Sequence, residues 1–164
     1  MERLGIAAGS GNFPVIVAQQ AKKQGAKTIV FAISGISDKE IEKYADKIIW
    51  IDVEHFSIQK FILQLLMTRP SKMVLVGKFD KSFVLKRLAT HKDKHQDVQE
   101  IFSANKDNSD YSLLEDITKR FEKIGIKVSD GMEYLSELRV EKGVLTKRVP
   151  TEEEQKDIEF GYEK

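Results

Sequence analysis

Short apolar runs alternate along this chain with segments in which apolar residues recur at helical spacing. The runs cover residues 4–8, 28–33, 48–53, 73–76 and 126–128, and the main helical segments cover 13–25, 58–66 and 113–124. Strands buried on both faces of a parallel sheet have continuous apolar sequences, and helices join such strands as right-handed crossovers. We therefore predict an α/β fold, a Rossmann-like three-layer sandwich with a mainly parallel five-stranded sheet.

Sequence signals at helix ends place further elements. Pro14 suits the first turn of the first helix, where a backbone N–H would have no partner. Ser37 and Glu40 form a capping-box pattern that predicts a short helix up to about residue 45, and Thr151 and Glu154 form the same pattern before a terminal helix. Weaker helical patterns cover residues 83–88, 98–102 and 132–138, the first two inside a polar, net basic stretch.

The composition excludes several classes of protein. The 164 residues include no cysteine, which rules out disulfides, thiolate metal sites and a cysteine nucleophile, and which suits a cytoplasmic protein. The formal net charge is +1, whereas domains that bind nucleic acid are usually strongly basic. No apolar run approaches the roughly 20 residues of a transmembrane helix, and the first residues make a poor signal peptide.

A glycine-rich turn follows the first predicted strand and opens the first predicted helix. It comprises Gly9, Ser10, Gly11, Asn12 and Phe13. Free backbone N–H groups and the helix dipole make such a turn an anion site, and ligands bind at the carboxyl ends of parallel strands in this fold class. We therefore expect the turn to hold a phosphate or a nucleotide. The alternative is a tight turn that needs only the flexibility of glycine.

Two other segments carry cations that suit a phosphate. Gly77 and Lys78 end the fourth predicted strand at the same edge of the sheet, where the lysine would reach a phosphate, although an ordinary exposed lysine fits equally well. Thr146, Lys147 and Arg148 form an extended basic run, and Arg148 suits bidentate contact with a phosphate. Without a ligand, such a run is a solvated edge.

The glycine-rich turn does not match two common nucleotide motifs. The dinucleotide fingerprint requires a third glycine, where this chain has Pro14, and an acid at the end of the second strand, where the first acid is Asp38. The turn lacks the Gly-Lys-Ser/Thr of a P-loop as well. An NAD-dependent oxidoreductase is therefore the least favoured interpretation.

The remaining polar candidates favour structural roles. His91 and His95 are four residues apart and would share one helix face, but no third ligand lies at a fixed spacing, so a solvated face is the better interpretation. Asp107 and Asp110 precede the helix at 113–124 and suit the positive end of its dipole. His55 lies near another helix start and fits a capping or packing role. We predict no metal site and no complete catalytic constellation.

Two stretches of the chain resemble the LpxI family, the UDP-2,3-diacylglucosamine pyrophosphatases of lipid A synthesis. The first is the opening LGIAAGSGNFP at residues 4–14. The second, more specific stretch is GVLTKR at 143–148, followed by PTEEE at 150–154 and DIEFG at 157–161. The pair Gly77-Lys78 and the stretch DNSD at 107–110 match the family more loosely. The resemblance covers essentially the whole chain, but only somewhat more than the first half of a family member.

The resemblance implies a hydrolase whose site is divided between two domains. The family reaction is magnesium-dependent: water attacks the phosphorus next to uridine in UDP-2,3-diacylglucosamine and releases UMP and 2,3-diacylglucosamine 1-phosphate. A second domain carries the catalytic acid, and the substrate lies between the domains. Residues 1–140 would then be a Rossmann-like domain, and 141–164 a basic segment and the start of a helix that leads to an absent catalytic domain.

On this view the chain contributes binding rather than chemistry. The glycine turn, Gly77, Lys78 and the basic run at 146–148 would bind the nucleotide. Asp110 is at most an assistant in catalysis, and most ligands of Mg²⁺ lie outside the chain. The acylated substrate implies peripheral contact with the inner face of a bacterial membrane, nucleic acid is not an expected partner, and a homodimer is left open.

A different class of function also fits these residues. A stand-alone nucleotide-binding or assembly module would use the same fold without catalysis. A native stop codon after Lys164 would favour that module, whereas a reading frame that runs on would favour the enzyme.

Overall fold

One parallel sheet forms the centre of the protein. A computed structural model describes residues 1–78, 110–140 and 143–163. The described strands are β1 (Arg3–Ala8), β2 (Lys27–Ile33), β3 (Lys47–Ile51), β4 (Lys72–Val76) and β5 (Lys127–Ser129). Their order is β3-β2-β1-β4-β5, and every neighbouring pair is parallel. The predicted α/β fold with a five-stranded sheet is confirmed, with all of the pairs parallel rather than most of them.

Helices lie between and after these strands. The α-helices in the described part of the chain are α1 (Phe13–Lys23), α2 (Ile58–Thr68), α3 (Asp110–Lys123) and α4 (Glu152–Glu163), and two 3₁₀ helices span Lys39–Tyr44 and Met132–Leu138. The helices predicted at 83–88 and 98–102 lie outside the described residues. Strand β3 ends at Ile51, two residues earlier than predicted, because the Asp52 carboxylate accepts a hydrogen bond from Glu54 N at 2.9 Å and starts a turn.

Apolar side chains pack on both faces of the sheet and make three layers, as predicted. On one face, α1 and both 3₁₀ helices cover a buried cluster that contains Leu4, Ile6 and Val30. On the other face, α2 and α3 cover a second cluster that contains Ile29 and Phe31. Successive residues of a strand point to opposite faces, so neighbouring apolar residues in one run enter different clusters. This alternation explains why the strands read as continuous apolar sequence.

Aromatic contacts connect the layers on the α2 side. The Phe61 ring of α2 meets the Phe31 ring of β2 edge-to-face, with centroids 5.4 Å apart, and the Phe121 ring of α3 at 6.4 Å. Edge-to-face pairs add about 0.5–1.5 kcal/mol beyond the burial of their area. Phe61 therefore holds α2 and α3 in place over the sheet.

The capping box predicted from Ser37 and Glu40 is wrong. The residue that caps the 3₁₀ helix Lys39–Tyr44 is Asp38, whose side chain accepts from Glu40 N at 2.9 Å. The Ser37 hydroxyl instead donates to Ala8 O at 2.7 Å and accepts from Ile33 N at 2.8 Å. Both partners end strands of the sheet, so the tertiary structure takes Ser37 away from the local role that its spacing suggests.

The capping box predicted at the start of α4 is confirmed. Thr151 Oγ1 accepts from Glu154 N at 3.3 Å, and a Glu154 carboxylate oxygen accepts from Thr151 N at 2.9 Å. No residue of α4 is buried, and residues 143–150 form no regular secondary structure. None of the helices in the described ranges is long and apolar enough to cross a membrane.

Candidate functional site

The loop between β1 and α1 is joined to the turn after β4 by backbone hydrogen bonds. Gly9 N donates to Val76 O at 2.8 Å, Ser10 N donates to Lys78 O at 2.8 Å, and Lys78 N donates to Ser10 O at 3.0 Å. Ser10 and Lys78 thus form an isolated antiparallel bridge. Strands β1 and β4 lie side by side at the point where the strand order reverses, and ligands bind in the crevice at such points.

Two glycines make this junction sterically feasible. A Cβ on Gly9 would lie 2.5 Å from Lys78 O and 3.0 Å from two carbonyl carbons of the facing turn. Gly77 has φ +94°, and a Cβ there would lie 2.8 Å from Pro14 Cγ and 2.9 Å from Ser10 O. These distances are too short for any side chain, so the close approach of the two backbones requires glycine at both positions.

The junction decides which groups of the predicted turn remain available to a ligand. Ser10 uses its N–H, its carbonyl and its hydroxyl, which donates to Lys78 O at 3.2 Å. Among the hydrogen bonds of the described residues, none is donated by the backbone N–H groups of Gly11, Asn12 or Phe13. The Asn12 side chain makes no capping bond to α1. The candidate anion site therefore consists of three consecutive amides at the positive end of α1.

The rim of this anion site is open to solvent. Gly11 has φ +93°, and no atom lies within 4 Å of the position that its Cβ would take. Lys78 is exposed, and the Phe13 side chain is 43% exposed at the first turn of α1. The structure thus brings the two sequence-predicted segments, 9–13 and 77–78, together at one place.

Ser37 belongs to the support of this loop, a role that the sequence analysis missed. Its hydroxyl connects Ala8, the residue directly before Gly9, with Ile33 at the end of β2. Ser37 is only 8% exposed; its hydrogen bond to Ala8 O is buried, and the one from Ile33 N is partly buried. A serine a few residues beyond a buried strand is a weak sequence signal, because the same residue suits a helix cap.

Side chains of the basic run at 146–148 bind groups that are close to them in sequence. The Arg148 guanidinium binds the Glu154 carboxylate in bidentate fashion, with two N–O distances of 3.0 Å, and holds the pKa of Glu154 below its usual range. Thr146 Oγ1 donates to Arg148 O at 2.8 Å, and Lys147 is exposed. Among the described residues, the side-chain hydrogen bonds of Thr146 and Arg148 join only residues between 146 and 154. This pairing uses two of the five N–H donors of the Arg148 guanidinium.

The other sequence candidates lie apart from the glycine loop or outside the described residues. Asp110 begins α3, but its side chain is not among those described, and His91, His95 and Asp107 lie outside the described residues altogether. His55 does not cap α2, whose cap is Ser57.

His55 pairs with an acid at the end of β3. His55 Nδ1 lies 2.9 Å from Asp52 Oδ2, and this hydrogen bond is the main reason that the pKa of Asp52 is lowered. Within the described ranges, no group of three or more histidine, aspartate or glutamate side chains is placed to hold a metal ion.

Comparison with known proteins identifies one family. A family model described as LpxI N-terminal domain matches residues 3–138. No curated protein matches the chain.

Solved structures with some similarity cover only parts of the chain. WbmH of Bordetella bronchiseptica in complex with NAD⁺ is 11% identical with a TM-score of 0.38, over 49% of this chain and 27% of that one. Phosphoribosylglycinamide synthetase from Anaerococcus prevotii is 16% identical with a TM-score of 0.39, over 74% and 28%. This chain thus spans less than a third of the length of either structure.

Proposed function

The chain belongs to the LpxI family, and from this premise we propose that it supplies the nucleotide-binding half of a UDP-2,3-diacylglucosamine pyrophosphatase. The complete enzyme would hydrolyse the pyrophosphate to UMP and 2,3-diacylglucosamine 1-phosphate in lipid A synthesis. The observation that carries the proposal is the junction of the glycine loop with the turn after β4, beside which three backbone amides have no partner among the described residues, at the switch point of the sheet.

The chemistry of this loop suits a pyrophosphate. Three adjacent N–H groups at a helix N-terminus donate to phosphate oxygens, and the helix dipole favours negative charge there by about 0.3–1 kcal/mol for an exposed group. No acidic residue occurs at positions 9–14 or at 77–78, so nothing in these segments repels an anion. The Lys78 ammonium adds a positive charge to the rim.

Binding and orientation are the contribution that we assign to this chain, rather than catalysis. The described residues do not by themselves provide a donor set for Mg²⁺. By analogy with the family's two-domain reaction, we propose that the Mg²⁺ ligands and the catalytic acid lie largely beyond the described residues, with residues 1–140 as the Rossmann-like domain and 141–164 as the connection to a catalytic domain. We also propose a cytoplasmic location, with peripheral contact to the inner membrane through the acylated substrate.

A titration tests the binding half of the proposal. Isotope-labelled protein is titrated with UMP and UDP in the presence of Mg²⁺, with NAD as the control ligand, and backbone amide shifts are followed. We expect shifts at residues 9–13 and 77–78 with the uridine nucleotides and none there with NAD. An unperturbed loop, or shifts with NAD alone, would contradict the proposal.

Two lysine variants sharpen the same experiment. Lys78→Ala removes the cation at the rim, and we expect it to weaken UDP binding about fivefold to tenfold, which corresponds to roughly 1 kcal/mol. Lys47→Ala is the matched control, because Lys47 is also exposed but begins β3 and so lies at the opposite edge of the sheet. Equal effects of the two variants would mean that Lys78 acts only through net charge.

Hydrolysis is tested separately. The chain alone is incubated with UDP-2,3-diacylglucosamine and Mg²⁺, and release of UMP is measured. We expect no turnover above background. Turnover by this chain would place the catalytic acid within it. That result would contradict our proposal that this chain binds the nucleotide and that another domain carries out catalysis.

A further inference from the structure

The outward-facing side of α2 carries apolar side chains. Four of them are between 40% and 63% exposed: Ile62, Leu63, Leu66 and Met67. Because successive residues of an α-helix turn by about 100°, these four lie on one side of the helix, and we call them the apolar stripe. The inner side of α2 is apolar as well, since Phe61 and Leu65 pack in the cluster against the sheet. A helix that is apolar all round is typically buried on every side, so the stripe indicates a surface that an apolar partner covers.

The size and composition of the stripe argue against a protein as its partner. A stable protein interface buries roughly 800 Å² and roughly 20–30 residues on each side, whereas the stripe consists of four side chains on a helix of 11 residues. Trp, Tyr and Arg dominate the binding energy of protein interfaces, and Leu is under-represented. The stripe has only Ile, Leu and Met. A lipid bilayer is a better match, because an interfacial helix needs only an apolar face that sinks about 5–10 Å into the boundary between headgroups and acyl chains.

The charges at the ends of the stripe suit an anionic bilayer. No acidic residue occurs between positions 58 and 69, and the exposed cations Lys60 and Arg69 lie in the first turn of α2 and directly after its last turn. Anionic lipid headgroups attract cations that lie beside an apolar helix face. The nearest acids in the sequence, Asp52 and Glu54, belong to the turn before α2, and Asp52 is paired with His55. The helix therefore presents apolar surface with positive charge at both ends.

More positive charge lies at the amino edge of the sheet, where the Arg3 guanidinium donates to Thr68 O and holds the end of α2. Each strand of the sheet begins at this edge with a basic residue, namely Arg3, Lys27, Lys47, Lys72 and Lys127. Among the described residues, Lys27, Lys47 and Lys127 form no ion pair. Three acids near this edge are each bound to a lysine, with N–O distances of 2.8–3.6 Å: Glu2, Asp46 and Glu133. The edge beside the stripe therefore keeps three lysines for an anionic surface.

We propose that α2 lies against an anionic lipid bilayer, with the apolar stripe among the acyl chains and with Lys60 and Arg69 at the headgroups. This contact goes beyond the proposed function, in which the acylated substrate provides the contact with the membrane. It needs no nucleotide, because the glycine loop lies at the opposite edge of the sheet and α1 covers the opposite face. The chain alone is therefore expected to bind vesicles that contain neither substrate nor nucleotide.

A single fluorescent label tests where the bilayer meets the protein. The chain has no cysteine, so Leu66→Cys places one thiol on the stripe for an environment-sensitive nitrobenzoxadiazole label. Leu138→Cys is the matched control, because Leu138 is 53% exposed and Leu66 is 59% exposed, but Leu138 ends the 3₁₀ helix on the opposite face of the sheet. With vesicles of phosphatidylglycerol and phosphatidylcholine, we expect blue-shifted, stronger emission from position 66 and no change from position 138. Vesicles of phosphatidylcholine alone are expected to give a smaller change, because they carry no net negative charge.

Vesicle sedimentation of unlabelled variants measures the size of the effect. We expect Leu63→Ala and Leu66→Ala each to weaken binding to the phosphatidylglycerol vesicles about fivefold to tenfold, because each removes part of the apolar surface that leaves water. Leu138→Ala is expected to bind like the wild-type chain. All three leucines are exposed, so we expect the folded state to survive these changes, and circular dichroism checks it.

The outcomes separate the bilayer from other occupants of the stripe. If neither label responds, or if both respond equally, α2 is not the membrane contact and the inference is wrong. It is also wrong if the label at position 66 is already shielded from water before vesicles are added, because the stripe is then covered within the protein. A dimer in light scattering that Leu63→Glu dissociates would assign the stripe to a second copy of the chain instead. None of these results concerns the glycine loop, so the nucleotide titration decides the proposed function separately.

Discussion

Replacing Gly9 by alanine tests the junction on which the candidate site depends. The new methyl group would lie 2.5 Å from Lys78 O and 3.0 Å from the carbonyl carbons of residues 77 and 78. All three contacts are backbone atoms, so no flexible side chain can move aside. The loop and the facing turn must separate instead.

The magnitude follows from the hydrogen bonds that hold the two segments together. Separation weakens the Gly9–Val76 hydrogen bond and both backbone hydrogen bonds between Ser10 and Lys78. Each contributes about 0.5–1.5 kcal/mol net. Alanine also restricts the unfolded chain, which offsets about 0.4–1 kcal/mol where the native backbone suits it. We therefore expect Gly9→Ala to lower the free energy of unfolding by about 2–3 kcal/mol and to abolish binding of UDP at the loop.

Urea denaturation measures this loss. Trp50 is the only tryptophan of the chain and lies half-buried in β3, so its fluorescence reports on the sheet, and circular dichroism follows the helices. Gly11→Ala is the control. It lies in the same loop with φ +93°, but its Cβ would meet nothing within 4 Å. We expect this control to cost only the backbone strain, about 1–2 kcal/mol.

A small effect would refute the reasoning. If Gly9→Ala unfolds at the same urea concentration as the wild-type chain, the two backbones are not in tight contact. The same conclusion follows if Gly9→Ala retains the wild-type affinity for UDP. Either result would remove the geometric basis of the candidate site.

Three further predictions concern stability. Asp46 accepts from Thr28 N at 2.8 Å, which lowers its pKa, so its stabilisation is complete above about pH 4 and is lost as the pH falls through the lowered value. Asp46→Asn should therefore show a weaker loss of stability than the wild-type chain in urea titrations below pH 4. Ser37→Ala leaves the buried carbonyl of Ala8 and the partly buried N–H of Ile33 without their partner, and we expect thermal or urea denaturation to show a loss of about 1–3 kcal/mol. Burial raises the pKa of Tyr134, so its stabilisation is complete below about pH 10 and is lost at higher pH. Tyr134→Phe should lose less stability between pH 9 and 11 than the wild-type chain, and an identical pH profile would contradict this account.

Much of the fold was predictable because its signals are local. Continuous apolar runs identify the strands and period-3.6 patterns identify the helices. Thr151 and Glu154 act within a single turn, so their capping box forms as predicted. The Ser37 prediction failed for the opposite reason. Its competing partner, Ala8 O, is 29 residues away in sequence, and a local pattern carries no information about it.

The candidate site shows the same division. The segments at 9–13 and 77–78 were predicted to share one edge of the sheet, and they do. The sequence did not predict that every polar group of Ser10 is hydrogen-bonded to Lys78. It also did not predict that Arg148 is bound to Glu154. Hydrogen bonds between loops depend on backbone geometry, which residue types alone do not specify.

What this sequence determined by itself is a set of elements and their order. Apolar runs, helical spacing and caps are properties of neighbouring residues, and the handedness of crossovers then leaves few ways to assemble the sheet. What the tertiary structure alone decided is which groups stay free for a ligand. Ser10 and Lys78 are 68 residues apart, and beside their pairing the amides of Gly11, Asn12 and Phe13 are the donors of this loop that find no partner within the described ranges. Such a result depends on how two loops meet at the end of neighbouring strands, because each backbone group can satisfy its hydrogen bond only with what the assembled sheet brings to it.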